Sequence, residues 1–150
     1  MAILQTLYAK GSKPTPVVNG SEVMAVRFDY DITAVLASAD VVQLGFLPAN
    51  HRVVDWAFDC DDLSASAAGA FDLGILTAGN TIDTTASGGA AWVSGATVVQ
   101  AGGLLRAASA THTRVVVSRT ADQKIGLVMT ASCTTTAAGK LGLTVYLVAG

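Results

Sequence analysis

The sequence predicts an all-β fold, a jelly-roll or related Greek-key β-sandwich with an extended N-terminal arm. Three observations predict it. Apolar residues recur at every second position in run after run, no stretch keeps the period of a long helix, and several connections are too long for simple hairpins. About seven or eight strands follow from those runs. The chain divides into an arm, residues 1–20, and one sandwich domain, residues 21–150. At 150 residues such a domain can bury ~70% of its unfolded surface around a single core.

The arm starts with the apolar residues Ile3, Leu4, Leu7 and Tyr8. Lys10, Gly11, Lys13, Pro14, Pro16, Asn19 and Gly20 follow, and they interrupt any helix or ladder. Two readings stand side by side: a disordered leader, or an arm that orders against a neighbouring subunit through those four apolar anchors. No basic residue precedes the short apolar stretch, so no export signal is visible. Met24, Val26, Phe28 and Tyr30 alternate with Ala25, Arg27 and Asp29 to give the first strand. Residues 31–38 fit either a turn and a short strand or a helical turn.

Three strands between Asp40 and Leu76 form the organising centre. Val42, Leu44 and Phe46 alternate in the first, Val54, Trp56, Phe58 and Cys60 in the second, and Phe71, Leu73 and Ile75 in the third. Pro48 and Asn50 reverse the chain between the first two. Thr77 to Asn80 and Thr84 to Gly89 read as loops. Residues 90–100 are ambiguous: Ala91, Trp92, Val93 and Ala96 allow a helical turn, whereas Thr97, Val98 and Val99 lean towards a strand. Gly102 and Gly103 end whichever it is. Strand signals return at His112 to Arg119, Lys124 to Ala131 and Leu141 to Val148, with Thr120 to Gln123 as a hairpin loop between the first two.

Composition restricts function. Hydrophobic residues make up 51% of the chain and charged residues only 13%, well below the ~25% of average soluble domains. Part of the surface is therefore expected to be covered by a partner. A net charge of -2 offers no footprint for nucleic acid, and no apolar run reaches the ~18 residues of a spanning helix. His51 and His112 lie in no metal or triad spacing and are expected at the surface. Asp55, Asp59, Asp61 and Asp62, with Asp72 nearby, form the one acidic cluster; it lacks the spaced ligands and glycine of a calcium loop and reads as a solvated strand face. Cys60 and Cys133 read as small buried hydrophobes, with a disulfide as the alternative. No nucleophile elbow or phosphate loop is present, so no catalytic, cofactor or metal residue is assigned.

The segment from Asp40 to Ala49, then Val53 to Asp59, then Phe71 to Leu76, resembles small virion proteins of tailed bacteriophages, most of all the capsid decoration or cement proteins. Val99 to Gly103, Ile125-Gly126 and Leu143 to Tyr146 are similar to that group too, so the likeness spans roughly Met24 to Val148. The resemblance implies a β-sandwich without an active site that binds the outside of an assembled capsid as a dimer or trimer. Its expected partners are copies of itself and the major capsid protein, with neither nucleic acid nor membrane. The expected location is the capsid surface of the virion, assembled in the host cytoplasm. Contact is expected through Ile3, Leu4, Leu7 and Tyr8 on the arm and Pro48, His51 and Arg52 at a loop tip. The alternative is a tail, baseplate or receptor-binding sandwich using Trp92, Tyr30 or Tyr146 as a carbohydrate platform.

Overall fold

Alternating apolar side chains lay out nine strands among the described residues. A computed structural model describes residues 1–20, 22–83, 91–107, 120–134 and 138–150. The strands are β1 (Ile3–Gln5), β2 (Met24–Ile32), β3 (Val41–Leu47), β4 (His51–Cys60), β5 (Ala70–Leu76), β6 (Val93–Ala96), β7 (Gly103–Arg106), β8 (Gln123–Ala131) and β9 (Gly139–Ala149). They form two sheets, ordered β1-β3-β8-β5-β6 and β2-β9-β4-β7. With β1 set aside, the two four-stranded orders 3-8-5-6 and 2-9-4-7 are those of a jelly roll. The expected all-β sandwich is present, and most connections pass from one sheet to the other.

The core is the space between the sheets. Val26, Phe28, Trp56, Phe58, Leu143 and Val145 of one sheet face Val42, Phe71, Leu73, Ile125, Leu127 and Met129 of the other, all buried. Phe58 and Phe71 meet across the gap with ring centres 4.9 Å apart. Trp56 stacks on Trp92 at 6.2 Å and 21°. Such aromatic pairs add directional energy to the area that they bury.

Two bulges change the phase that simple alternation predicts. Register slips between Gln43 and Gly45, so Gly45 turns inward against Phe28 while Phe46 leaves the core for a surface groove. In β4 the slip falls between Val53 and Asp55, so Val53 is buried and Val54 only partly so. One extra residue per strand inverts the facing of everything on one side of it. Thr97, Val98 and Val99 do not extend a strand either. Val98–Gln100 is a 3₁₀ turn where the chain leaves one sheet for the other, and buried Val99 plugs the core there. β7 has no counterpart in the sequence reading, because four residues that open on Gly103 give too short a pattern. Residues 31–38 complete β2 and then run irregularly to β3 with Leu36 buried. The strand expected at His112 to Arg119 and the loop at Thr84 to Gly89 lie outside the described residues.

Candidate assembly interface

Residues 1–20 close the side of the sandwich where β2 and β3 are neighbours. β1 runs parallel to β3, with Ile3 opposite Val41, Leu4 opposite Val42 and Gln5 opposite Gln43. Its start is held by Asp40, whose carboxylate accepts the Ala2 N–H at 2.6 Å and the Ala37 N–H at 2.9 Å. Thr6 is 3% exposed and donates its hydroxyl to the carbonyl of Leu44. Leu44 sits where the β3 register slips, so its carbonyl is available to a side chain. Gln5 donates to Gln43 at 2.6 Å, and Gln43 in turn to Asn80 at 2.5 Å, which ties the arm to the turn beyond β5.

The four apolar arm residues divide into two pairs. Leu4 and Tyr8 are half-buried and pack on the core of their own chain. Tyr8 sits edge-on to Phe28 at 4.9 Å, with the Lys13 ammonium 4.7 Å from the centre of its ring. Ile3 and Leu7 remain exposed, 44% and 62% respectively. Of the four, only the second pair leaves its apolar surface uncovered by its own chain.

At the β3–β4 turn, Pro48 is half-buried and Arg52 exposed, and Asn50 takes the left-handed conformation that the reversal requires. His51 corrects the expectation of a surface histidine. It is 7% exposed, its Nε2 accepts the Val18 N–H at 2.9 Å, and its Nδ1 lies 2.8 Å from the Ala49 carbonyl. The acceptor role of Nε2 puts the ring proton on Nδ1, which donates to Ala49. His51 therefore clamps the end of the arm, and its ring is not part of an exposed tip. Neither Thr6, Asp40 nor His51 carries a sequence signal for this work, since each role depends on a segment more than thirty positions away.

The outer face of the β2-β9-β4-β7 sheet is ionic. Arg27 lies over Gly142 and donates to both oxygens of Asp59 at 2.7 Å, with Asp29 at 2.8 Å. Its pKa is raised, first by the hydrogen bond to Asp59. Asp55 meets Arg106 at 3.5 Å, and Lys140 meets Asp31 at 3.1 Å. Asp61 and Asp62 accept the backbone N–H groups of Lys140 and Ser64. The acidic cluster is thus a paired strand face, and among the described residues no group of three or more ligating side chains gathers for a metal.

Cys60 and Cys133 are both free, the second buried and the first partly so. Burial, then the charges of Asp59, Asp61 and Asp62, push the Cys60 thiol up to about 12. Such a thiol is a poor nucleophile. Two open grooves of ≈ 340 Å³ each share Phe46 and Asp122, and neither gathers a histidine or cysteine beside a carboxylate. Trp92 is 2% exposed, so it cannot serve as a carbohydrate platform.

A chain of the Ralstonia phage GP4 capsid superposes with a TM-score of 0.83 and 28% identity, over 99% of this chain and 99% of that one. The chain resembles a small structural protein of the phage virion. The likeness takes in the arm as well as the sandwich, since almost nothing of either chain is left out. A chain of the cyanophage Pam1 capsid asymmetric unit shares the fold, with a TM-score of 0.61 and 20% identity over 90% of this chain and 91% of that one. No protein-family model matches the sequence, and a comparison with curated proteins gives no significant match.

Proposed function

We propose that the chain is a capsid decoration protein that binds the outside of an assembled phage shell as an oligomer and stabilises it. The likeness to a chain of the GP4 capsid over the full length of both carries this reading. The surface supports it: three exposed apolar side chains, Met1, Ile3 and Leu7, lie close together in sequence on the arm, while the charges of one sheet face are paired within the chain. A protein that binds only the assembled shell raises the stability of that shell by mass action.

Shells lacking the chain, mixed with purified protein, should gain ordered density on their outer surface in cryo-electron microscopy and withstand heating better. Shells that stay bare at saturating protein would overturn the reading. Truncation of residues 1–20 is a poor test, because it removes the buried Thr6, Ala9 and Val18 and uncovers Phe28.

A further inference from the structure

We infer that Asn19 is a site of spontaneous covalent modification, at which the Gly20 backbone nitrogen attacks the Asn19 side-chain amide and turns it, through a cyclic imide and with loss of ammonia, into aspartate and isoaspartate. The inference concerns the chain by itself and does not depend on the proposed shell binding.

The chain has three asparagines, and the structure separates them. Asn19, Asn50 and Asn80 are followed by Gly20, His51 and Thr81. Attack needs the nitrogen of the next residue to be free of hydrogen bonds and uncrowded, and it needs a side-chain amide that nothing holds. The His51 N–H donates to the Pro48 carbonyl at 3.2 Å and the Thr81 N–H to the Thr77 hydroxyl at 3.2 Å, so both of those nitrogens are engaged. The amide oxygen of Asn80 is engaged as well, by Gln43. Asn19 and Gly20 are both exposed, and among the described residues neither makes a hydrogen bond.

Gly20 adds the conformational freedom that ring closure requires. It sits at φ +96°, and a Cβ built there would meet nothing within 4 Å, so open space surrounds the attacking nitrogen. Without a side chain the residue can leave that conformation and bring its nitrogen towards Cγ of Asn19 at little cost. The clamp on the arm ends just before this pair: the Val18 N–H is held by Nε2 of His51 at 2.9 Å, and residues 19 and 20 lie between that bond and the start of β2 at Met24.

The reaction needs only water. The Gly20 nitrogen gives its proton to solvent and bonds to Cγ of Asn19, and the bond from Cγ to Nδ2 breaks, with Nδ2 leaving as ammonia. Water then opens the five-membered imide at either of its carbonyls. One opening leaves aspartate in a normal chain; the other leaves isoaspartate, whose main chain runs through the former side chain and is longer by one methylene. Each product carries one more negative charge than asparagine, placed directly after the clamped Val18.

Incubation of the full folded chain in warm, mildly alkaline buffer, followed by trypsin and mass spectrometry, tests the site. Cleavage puts the three asparagines in separate peptides, residues 11–27, 28–52 and 53–106, because Lys13 precedes Pro14. The first should gain the mass difference between an acid and an amide and resolve into two chromatographic products. Its rate should lie within roughly threefold of that of the same segment as a free peptide, since no contact of the fold must open first. The other two peptides should stay unchanged at their asparagines. Gly20→Ala should slow conversion roughly tenfold, because a side chain then flanks the nitrogen and restricts its backbone. Asn19→Gln alters an exposed side chain without a partner and should abolish conversion, a readout that holds even where Gly20→Ala fails to fold. A folded chain that stays unmodified while the free peptide reacts, conversion as fast at Asn50 or Asn80, or conversion that persists in Asn19→Gln would overturn the inference.

Discussion

At Gly45 an added Cβ would run into the Phe28 ring, and that ring is fully buried, so it has nowhere to go. Gly45→Ala should cost about 1–3 kcal/mol in chemical denaturation, as over-packed cores do. At Gly142 the nearest atom to an added Cβ is the end of Arg27, a half-exposed side chain that can swing away. Gly142→Ala should cost under ~1 kcal/mol, the worth of the surface ion pairs it disturbs. His51→Ala would leave the buried Val18 N–H without its acceptor, at about 1–3 kcal/mol, and His51→Gln should recover part of that through its amide oxygen. Cys60 yields a pH prediction. Its folded pKa is raised from 9.0 to about 12, so the folded state holds the thiol proton longer than the unfolded chain does. Stability should be intact below pH 9.0 and fall as pH rises towards 12, and Cys60→Ala should flatten that slope in thermal unfolding. Of these sites, the burial of Phe28 and, in part, that of Cys60 are legible in the sequence. Gly45 reads as an ordinary small residue until the bulge in β3 turns it inward.

Strands with a long period-two pattern, β2, β3, β4, β5, β8 and β9, are legible because one face of each must be apolar. Bulges, the 3₁₀ turn and β7 are not, because each depends on a partner strand or on a crossing between sheets that local sequence does not encode. The arm is the largest such element. Its glycines and prolines do forbid helix, yet β1, the Tyr8 contact and the His51 clamp lay it on its own domain. Tyr8 is the keystone of that docking, since it is the arm side chain that meets Phe28. Tyr8→Ala should cost about 1–3 kcal/mol, less than a fully buried aromatic because Tyr8 is half exposed. Trypsin cleavage after Lys10 should accelerate more than global unfolding does, since local opening has its own free energy. Equal acceleration of both would show that the arm opens only with the whole domain.

At the scale of the molecule the two sheet faces differ in what they can offer a shell. The outer face of the β1-containing sheet buries Gln43, Leu76 and Gly126, with the turn beyond β5 folded over it through Asn80. The opposite face is solvated, and its Arg27, Lys140 and Arg106 already have carboxylate partners in the same chain. A charge with a partner at hand gains little from a second one, and exposed pairs are worth ~0–1 kcal/mol at best. Attachment through the apolar arm should therefore depend weakly on salt. Screening over ~8 Å at physiological ionic strength shrinks to ~3 Å at 1 M, which would remove most of a docking energy built on surface charge. Titrating shells with the chain in low and high sodium chloride separates the two mechanisms: equal occupancy at both is expected for attachment by apolar burial. A loss of binding of tenfold or more at high salt would place the contact on the ionic face, with Arg27→Ala and Arg106→Ala then the substitutions that weaken it.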